Sequence, residues 1–216
     1  MPDLTLEEIA ALLAPRIAEM AAFDGWSDAA LAGAASAESI DPAVARLAFP
    51  EGAMDMIAAW ISTIDQAMEQ AFAPGSLDDL SIRERIRTLV QFRLDAVLGL
   101  EESLRRALAI MAMPGNAKRT LGISWAGADR MWRLAGDTAT DLSYYTRRAT
   151  LGSIYAATLM VFIDDDSEAK AETRAFLDRR IAGVIRFEKA KARLSQGAED
   201  RFSMARFLGR LRYPAN

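Results

Sequence analysis

Two neighbouring stretches of this chain carry the side chains best suited to chemistry: Met131-Trp132-Arg133-Leu134-Ala135-Gly136-Asp137 and Asp141-Leu142-Ser143-Tyr144-Tyr145-Thr146-Arg147-Arg148. Both mix aromatics with Arg and Asp where a helical pattern is interrupted. The chemistry this combination supports is non-covalent. Tyr, Trp and Arg anchor protein interfaces because each joins a large contact area to a polar end. Tyr144 and Arg148 are four residues apart, as are Asp141 and Tyr145, so on a helix each pair shares a face. A plainer arrangement, with Trp132 and Tyr145 packed and Arg148 paired to Asp141, uses the same residues.

Composition narrows the rest. The 216 residues include no Cys and no His. That removes disulfides, thiol nucleophiles, Ser-His-Asp triads, histidine bases, HExxH zinc sites and di-iron sites built on Glu-x-x-His pairs. Carboxylates acting alone are the catalytic option left, and no pair of them stands out. No enzyme activity, cofactor or metal is expected. Gly115-Asn116-Ala117-Lys118-Arg119-Thr120 lacks the glycine spacing of a P-loop and reads as a helix connection. Asp164-Asp165-Asp166 reads as a helix end, with Asp165 or Ser167 capping the next helix. The net charge of −4 gives no broad attraction to nucleic acid or anionic lipid.

The elements that must position these residues are helical throughout, since no period-two alternation lasts long enough for a strand. Leu4–Phe23 forms the first helix and stops at Asp24-Gly25. Ala29–Ala37 and a piece opened by Asp41-Pro42 are short, and Pro50-Glu51 begins a longer helix reaching about Phe72. Pro74-Gly75 marks a boundary. Further helices are expected over Ser81–Gly99, Ser103–Met113, Ala117–Leu134, Leu142–Ile163 and Ser167 to about Leu194, with an amphipathic piece over Glu199–Leu211. Ile82, Ile86, Leu89, Val90 and Val97 should face inward. Ala149–Ile163 is uncharged on every face; at 15 residues it is too short to span a membrane and should be a central, buried helix. The domain reading is 1–73, a helix-turn-helix-like unit; 76–198, a helical body; and 199–216, a terminal amphipathic helix.

The first unit has the layout of a TetR-type DNA-binding head, but its charge argues against that use. Asp24 to Asp55 holds six acids against one base, Arg46, for a net of −5. Duplex DNA repels such a surface, and Pro42–Ala48 offers Ala, Val and Leu where base-edge donors should stand. The head reads as a retained scaffold, and no nucleic-acid partner is expected.

Leu108-Ala109-Ile110-Met111-Ala112-Met113-Pro114, Met131-Trp132-x-x-Ala135-Gly136-Asp137, Asp141-x-x-x-Tyr145-Thr146-Arg147-Arg148, Ile154-Tyr155 and Phe176-Leu177-x-x-Arg180 form an ordered set. With it the chain resembles the coenzyme Q biosynthesis protein nine family, non-catalytic lipid-binding accessory proteins of ubiquinone biosynthesis. The resemblance implies an all-α, TetR-regulator-like helical bundle with a vestigial N-terminal helix-turn-helix. It implies that the protein binds prenylated quinone intermediates and presents them to the demethoxyubiquinone hydroxylase. That enzyme's docking patch would comprise Met131, Trp132, Asp137, Asp141, Tyr144, Tyr145 and Arg148. Eukaryotic members carry Trp where this chain has Tyr144. Taken alone, the Met-rich apolar positions describe an ordinary core. Under the resemblance they become a lipid pocket lined by Met111, Met113, Ile154, Tyr155, Leu159 and Met160.

From Arg201 to Tyr213 the charge is +4 beside an apolar side. Such a helix can lie in an anionic membrane interface or dock on its own protein. The resemblance favours the membrane, with Arg201, Phe202, Arg206, Phe207, Leu208, Arg210 and Leu211 in contact. The opening residues show no secretory leader. A homodimer and a cytoplasmic protein held peripherally at a bacterial inner membrane are the matching expectations. The rival reading is a ligand-sensing TetR-type regulator, which would need a basic head.

Overall fold

The computed structural model describes residues 4–73 and 75–184, which form eight helices and the start of a ninth with no strand among them. The helices are α1 (Leu6–Asp24), α2 (Asp28–Ala37), α3 (Pro42–Leu47), α4 (Ala53–Ala71), α5 (Ile82–Asp95), α6 (Glu101–Met111), α7 (Ala117–Leu134), α8 (Leu142–Phe162) and α9, helical over 171–184. Their starts follow local chemistry. Thr5 with Glu8 and Ser81 with Glu84 close capping boxes on α1 and α5, while Ser27, Asp41 and Asp141 cap α2, α3 and α8. The expected helix ending at Gly99 stops earlier, at Asp95, and the next begins at Glu101, before the expected Ser103. The last helix is preceded by a 3₁₀ turn over Glu168–Lys170. Its expected run to Leu194, the Glu199–Leu211 piece and the membrane-contact residues Arg201, Phe202, Arg206, Phe207, Leu208, Arg210 and Leu211 lie outside the described residues.

Helix α1 lies at the centre of the N-terminal part, with Leu13, Ala14, Ile17, Ala18 and Ala21 fully buried. It packs against α2, α3, α4 and α6. Trp26 rests against Trp60, ring centroids 5.3 Å apart, and its Nε1 donates to the Ser103 carbonyl at 3.0 Å. The Ser103 hydroxyl donates in turn to the Ala18 carbonyl at 2.6 Å. These bonds join the first helices to α6 across the expected boundary at Pro74-Gly75. Arg46, the single base between Asp24 and Asp55, is paired with Asp28 at 3.2 Å, while Val44 and Leu47 on α3 stand exposed.

Two expectations are corrected here. Helix α8 is not buried on every face: Leu151, Ile154, Thr158, Leu159 and Phe162 turn inward, but Ala149, Ser153, Ala156 and Met160 are exposed. Its uncharged run comes from small residues on the outer face rather than from all-round burial. Ile82 is 48% exposed instead of inward. It lines an open pocket.

The body is held by charge as well as apolar packing. Asp65 of α4 pairs with Arg93 of α5 and with Arg130 of α7. The Arg93 guanidinium lies 4.9 Å from the Tyr155 ring of α8, so four helices meet on one ionic cluster. After α8, Asp165 accepts bonds from the backbone and hydroxyl groups of both Ser167 and Thr173. Burial raises the Asp165 pKa, but these four bonds outweigh it and hold the carboxyl well below the usual range.

Candidate functional site

The site begins where α7 stops. The N–H of Gly136 bonds the Arg133 carbonyl and that of Asp137 bonds the Trp132 carbonyl, both at 2.9 Å, which is a Schellman ending. Gly136 has φ +86°, in the left-handed region, and a Cβ there would stand 3.1 Å from Arg85 Nη1. Arg85 comes this close because its Nη1 donates to the Ala135 carbonyl at 3.0 Å. The Ala135-Gly136-Asp137 motif is therefore a helix stop clasped by α5.

The stop turns the Asp137 carboxyl inward, where its side chain is 1% exposed. There it accepts bonds from Arg147 at 2.5 Å and Arg148 at 2.9 Å. Arg148, 2% exposed, also donates to Asp129 at 2.6 Å, and Asp129 pairs with Arg133 at 2.7 Å. Two carboxylates are thus shared among three guanidiniums. Burial raises the pKa of Asp129 and Asp137, but hydrogen bonds from Arg148 outweigh it, with help from Tyr144 and Arg147 respectively, and both carboxyls lie below their ordinary value. Burial likewise lowers the Arg148 value, and its bonds to Asp129 and Asp137 reverse that to a net rise.

Two surfaces open from this network. On one side lies a half-open cavity of about 330 Å³ between α5, α8, α9 and the end of α7. Its apolar lining is Ile82, Ile86, Leu151, Ile154, Ile181 and Val184, and Trp132 contributes one wall. Its polar lining is Arg83, Ser143, Thr146, Arg147 and Thr150. Trp132 is fixed by an Nε1 bond to the Arg147 carbonyl at 3.0 Å, with the Arg147 guanidinium 5.7 Å from its ring. On the other side, Trp125, Tyr144 and Tyr145 form an aromatic cluster with ring centroids 5.1 to 6.2 Å apart. Tyr144 is held by Arg148, 3.5 Å from its ring, and donates its hydroxyl to Asp129 at 3.1 Å; Tyr145 is 59% exposed.

The seven expected patch residues therefore separate into layers. Tyr144 and Tyr145 share the outer cluster, and Trp132 turns to the cavity. Met131 is 1% exposed and, with the side chains of Asp137 and Arg148, lies beneath the surface. Asp141 is the exposed α8 cap and bonds Ser143, not Arg148. Of the expected lipid residues, only Ile154 lines the cavity. Met111 and Leu159 are core residues, Tyr155 lies beside Arg93, and Met113 and Met160 are exposed. Ile181 and Val184 reach the cavity from an element distant in sequence. Arg147 stood in the singled-out stretch without a role of its own; Trp125, Asp129, Arg83 and Thr150 were missed, although Asp129 and Arg133 stood at salt-bridge spacing. Among the described residues no group of His, Cys, Asp and Glu is arranged to hold a metal ion, and no helix is long and apolar enough to cross a membrane.

Fold and site together define a TetR-like helical protein with an acidic head and a pocketed body. A TetR transcriptional regulator from Nitrosomonas europaea shares this fold, with a TM-score of 0.65 over 81% of this chain and 96% of that one, at 22% identity. More particularly, residues 117–188, which include α7, α8 and the described part of α9, match the COQ9 family model. The chain is 32% identical over 168 residues to the mitochondrial ubiquinone biosynthesis protein COQ9-A of Xenopus laevis, covering 74% of this chain and 53% of that protein. It is 29% identical over 164 residues to mitochondrial COQ9 of Rattus norvegicus, covering 73% and 52%, and 28% identical to that of Homo sapiens, covering 73% and 51%. The chain spans about half the length of the curated relatives it matches. Both the fold expected from the sequence and the resemblance carried by its motifs are borne out.

Proposed function

We propose that this protein is a non-catalytic, lipid-binding accessory factor of ubiquinone biosynthesis. It holds a prenylated quinone intermediate in the Trp132 cavity and presents it to the demethoxyubiquinone hydroxylase docked on the Trp125-Tyr144-Tyr145 surface. The observation that carries this reading is the single helical turn Tyr144–Arg148, which contributes residues to the outer cluster, the buried network and the cavity. A partner seated on that turn is one layer of side chains from the ligand. The names of the relatives support the pathway. The basic, amphipathic Arg201–Tyr213 segment supplies reversible contact with a membrane surface, such as the bacterial inner membrane, from which the lipid is drawn. Exposed Leu121 and Met160, on α7 and α8, are offered to a second copy in a homodimer.

The competing use, a ligand-sensing regulator, has the fold in its favour but requires a basic head. Here the two head cations, Arg16 and Arg46, are each paired with a carboxylate. Mass spectrometry of organic extracts of the purified protein, against a mock purification, tests the carrier reading. An enriched prenylated quinone or phenol supports it. Extracts no different from the mock after detergent-free purification reject it in favour of docking alone.

A further inference from the structure

Near the start of α5, Arg85 commits its whole guanidinium to the backbone of two separate segments. Its Nε donates to the Leu80 carbonyl at 2.9 Å and its Nη2 to the Asp78 carbonyl at 2.8 Å, both in the α4–α5 connection. Its Nη1 donates to the Ala135 carbonyl at 3.0 Å, at the end of α7, and lies 3.1 Å from the Asp78 carboxylate. A planar fork holds such a set of acceptors at once, whereas a lysine ammonium is a single point on a flexible stem. The Ala135 carbonyl is one of those that a helix end leaves without an intrahelical partner, and Ala135 is 1% exposed. From this point two branches leave. One turn back, Trp132 goes to the cavity wall. Two residues on, Asp137 enters the buried network, which reaches the aromatic surface through Arg148 and Tyr144. Arg85 itself is neither among the described residues that line the cavity nor in the aromatic cluster.

From this we infer that Arg85 is the positioning residue of the site: it sets the orientation of the α7–α8 turn from the α4–α5 connection, and so places Trp132 and Tyr144 without touching ligand or partner. The inference rests on the carrier and docking reading above and adds to it a residue that neither binding surface contains. Its effect passes through the Ala135 carbonyl, not through charge at the surface.

Fluorine NMR of the full chain labelled with 5-fluorotryptophan, together with hydroxylase capture in a pull-down, tests it. The four tryptophan resonances are assigned by replacing each residue with Phe in turn. Arg85→Lys keeps a cation beside Asp78 but loses the bridge to Ala135. It should move the Trp125 and Trp132 resonances and leave those of Trp26 and Trp60, in the acidic head, in place. Capture should fall at least about tenfold, the equivalent of one charge-assisted hydrogen bond. Ser103→Ala removes a buried bond between α6 and α1; it serves as the stability control and should leave capture unchanged. Unmoved resonances, a shift of all four alike, or full capture by Arg85→Lys overturns the inference while the docking reading stands. An equal loss of capture by Ser103→Ala overturns it too, because lowered stability would then be enough. No capture by the unaltered chain defeats the docking reading itself, and this inference with it.

Discussion

Two ionic networks cross the body of this protein, and they end differently. The Asp65-Arg93-Arg130 cluster is closed on the inside by Tyr155 and ties α4, α5, α7 and α8 together. The Asp129-Arg148-Asp137 cluster is as deeply buried at Arg148, yet its outer members reach a cavity through Arg147 and an aromatic surface through Tyr144. The first network fixes helices to one another. The second fixes side chains that a ligand or a partner can touch. Burial of charge alone does not distinguish the two roles; what lies at the rim does.

The largest expected effect breaks the closed network. Asp65→Ala leaves Arg93 buried without its counter-charge and should cost about 3–5 kcal/mol in denaturant unfolding. The double variant Asp65→Leu with Arg93→Met should recover most of that loss. Arg148→Met should cost less, about 2–3 kcal/mol, because Asp129 keeps Arg133 and Asp137 keeps Arg147. A loss equal to that of Asp65→Ala would erase the proposed difference.

Gly136→Ala tests the turn that feeds the open network. A φ of +86° and the nearby Arg85 leave no comfortable place for a Cβ, and a cost of about 1–2 kcal/mol is expected. Acid should loosen the same network. Asp129 and Asp137 have folded pKa values below their unfolded ones, so their contribution is complete above about pH 4 and disappears as pH falls through the lowered values. Unfolding titrations from pH 6 to pH 2 should show this slope, and Asp137→Asn should flatten it. The smallest effect on stability belongs to Tyr145→Ala, within about 0.5 kcal/mol for so exposed a side chain. Together with Trp125→Ala it should nonetheless abolish hydroxylase capture in a pull-down. Full capture by that folded double variant would remove the surface from the proposal.

The fold was largely legible in the sequence because its helix starts are encoded locally. Thr5, Ser27, Asp41, Ser81 and Asp141 each announce an N-terminus, and apolar spacing on α4 and α5 identifies most of the inner faces. The site was legible only as a stretch. Its residues alternate around the α7–α8 turn, so neighbours in sequence point into three different layers. Tyr144, Tyr145 and Trp132 were recognisable as aromatics, but the cavity depends on Ile82 and Ile181 arriving from other helices. Methionine content does not mark the cavity: Met113 and Met160 are at the surface and Met111 is in the core. Long-range packing decides such placements, and local pattern does not carry it.

The four tryptophans are spread over the three regions that matter most. Trp26 and Trp60 touch in the acidic head, Trp125 stands in the outer aromatic cluster and Trp132 forms a wall of the cavity. The chain therefore carries its own optical reporters. With Trp125 or Trp132 replaced singly by Phe, the change in emission on adding a lipid or a partner can be assigned to one side of the second network. Ligand loading and partner docking become separable signals in the same unlabelled protein.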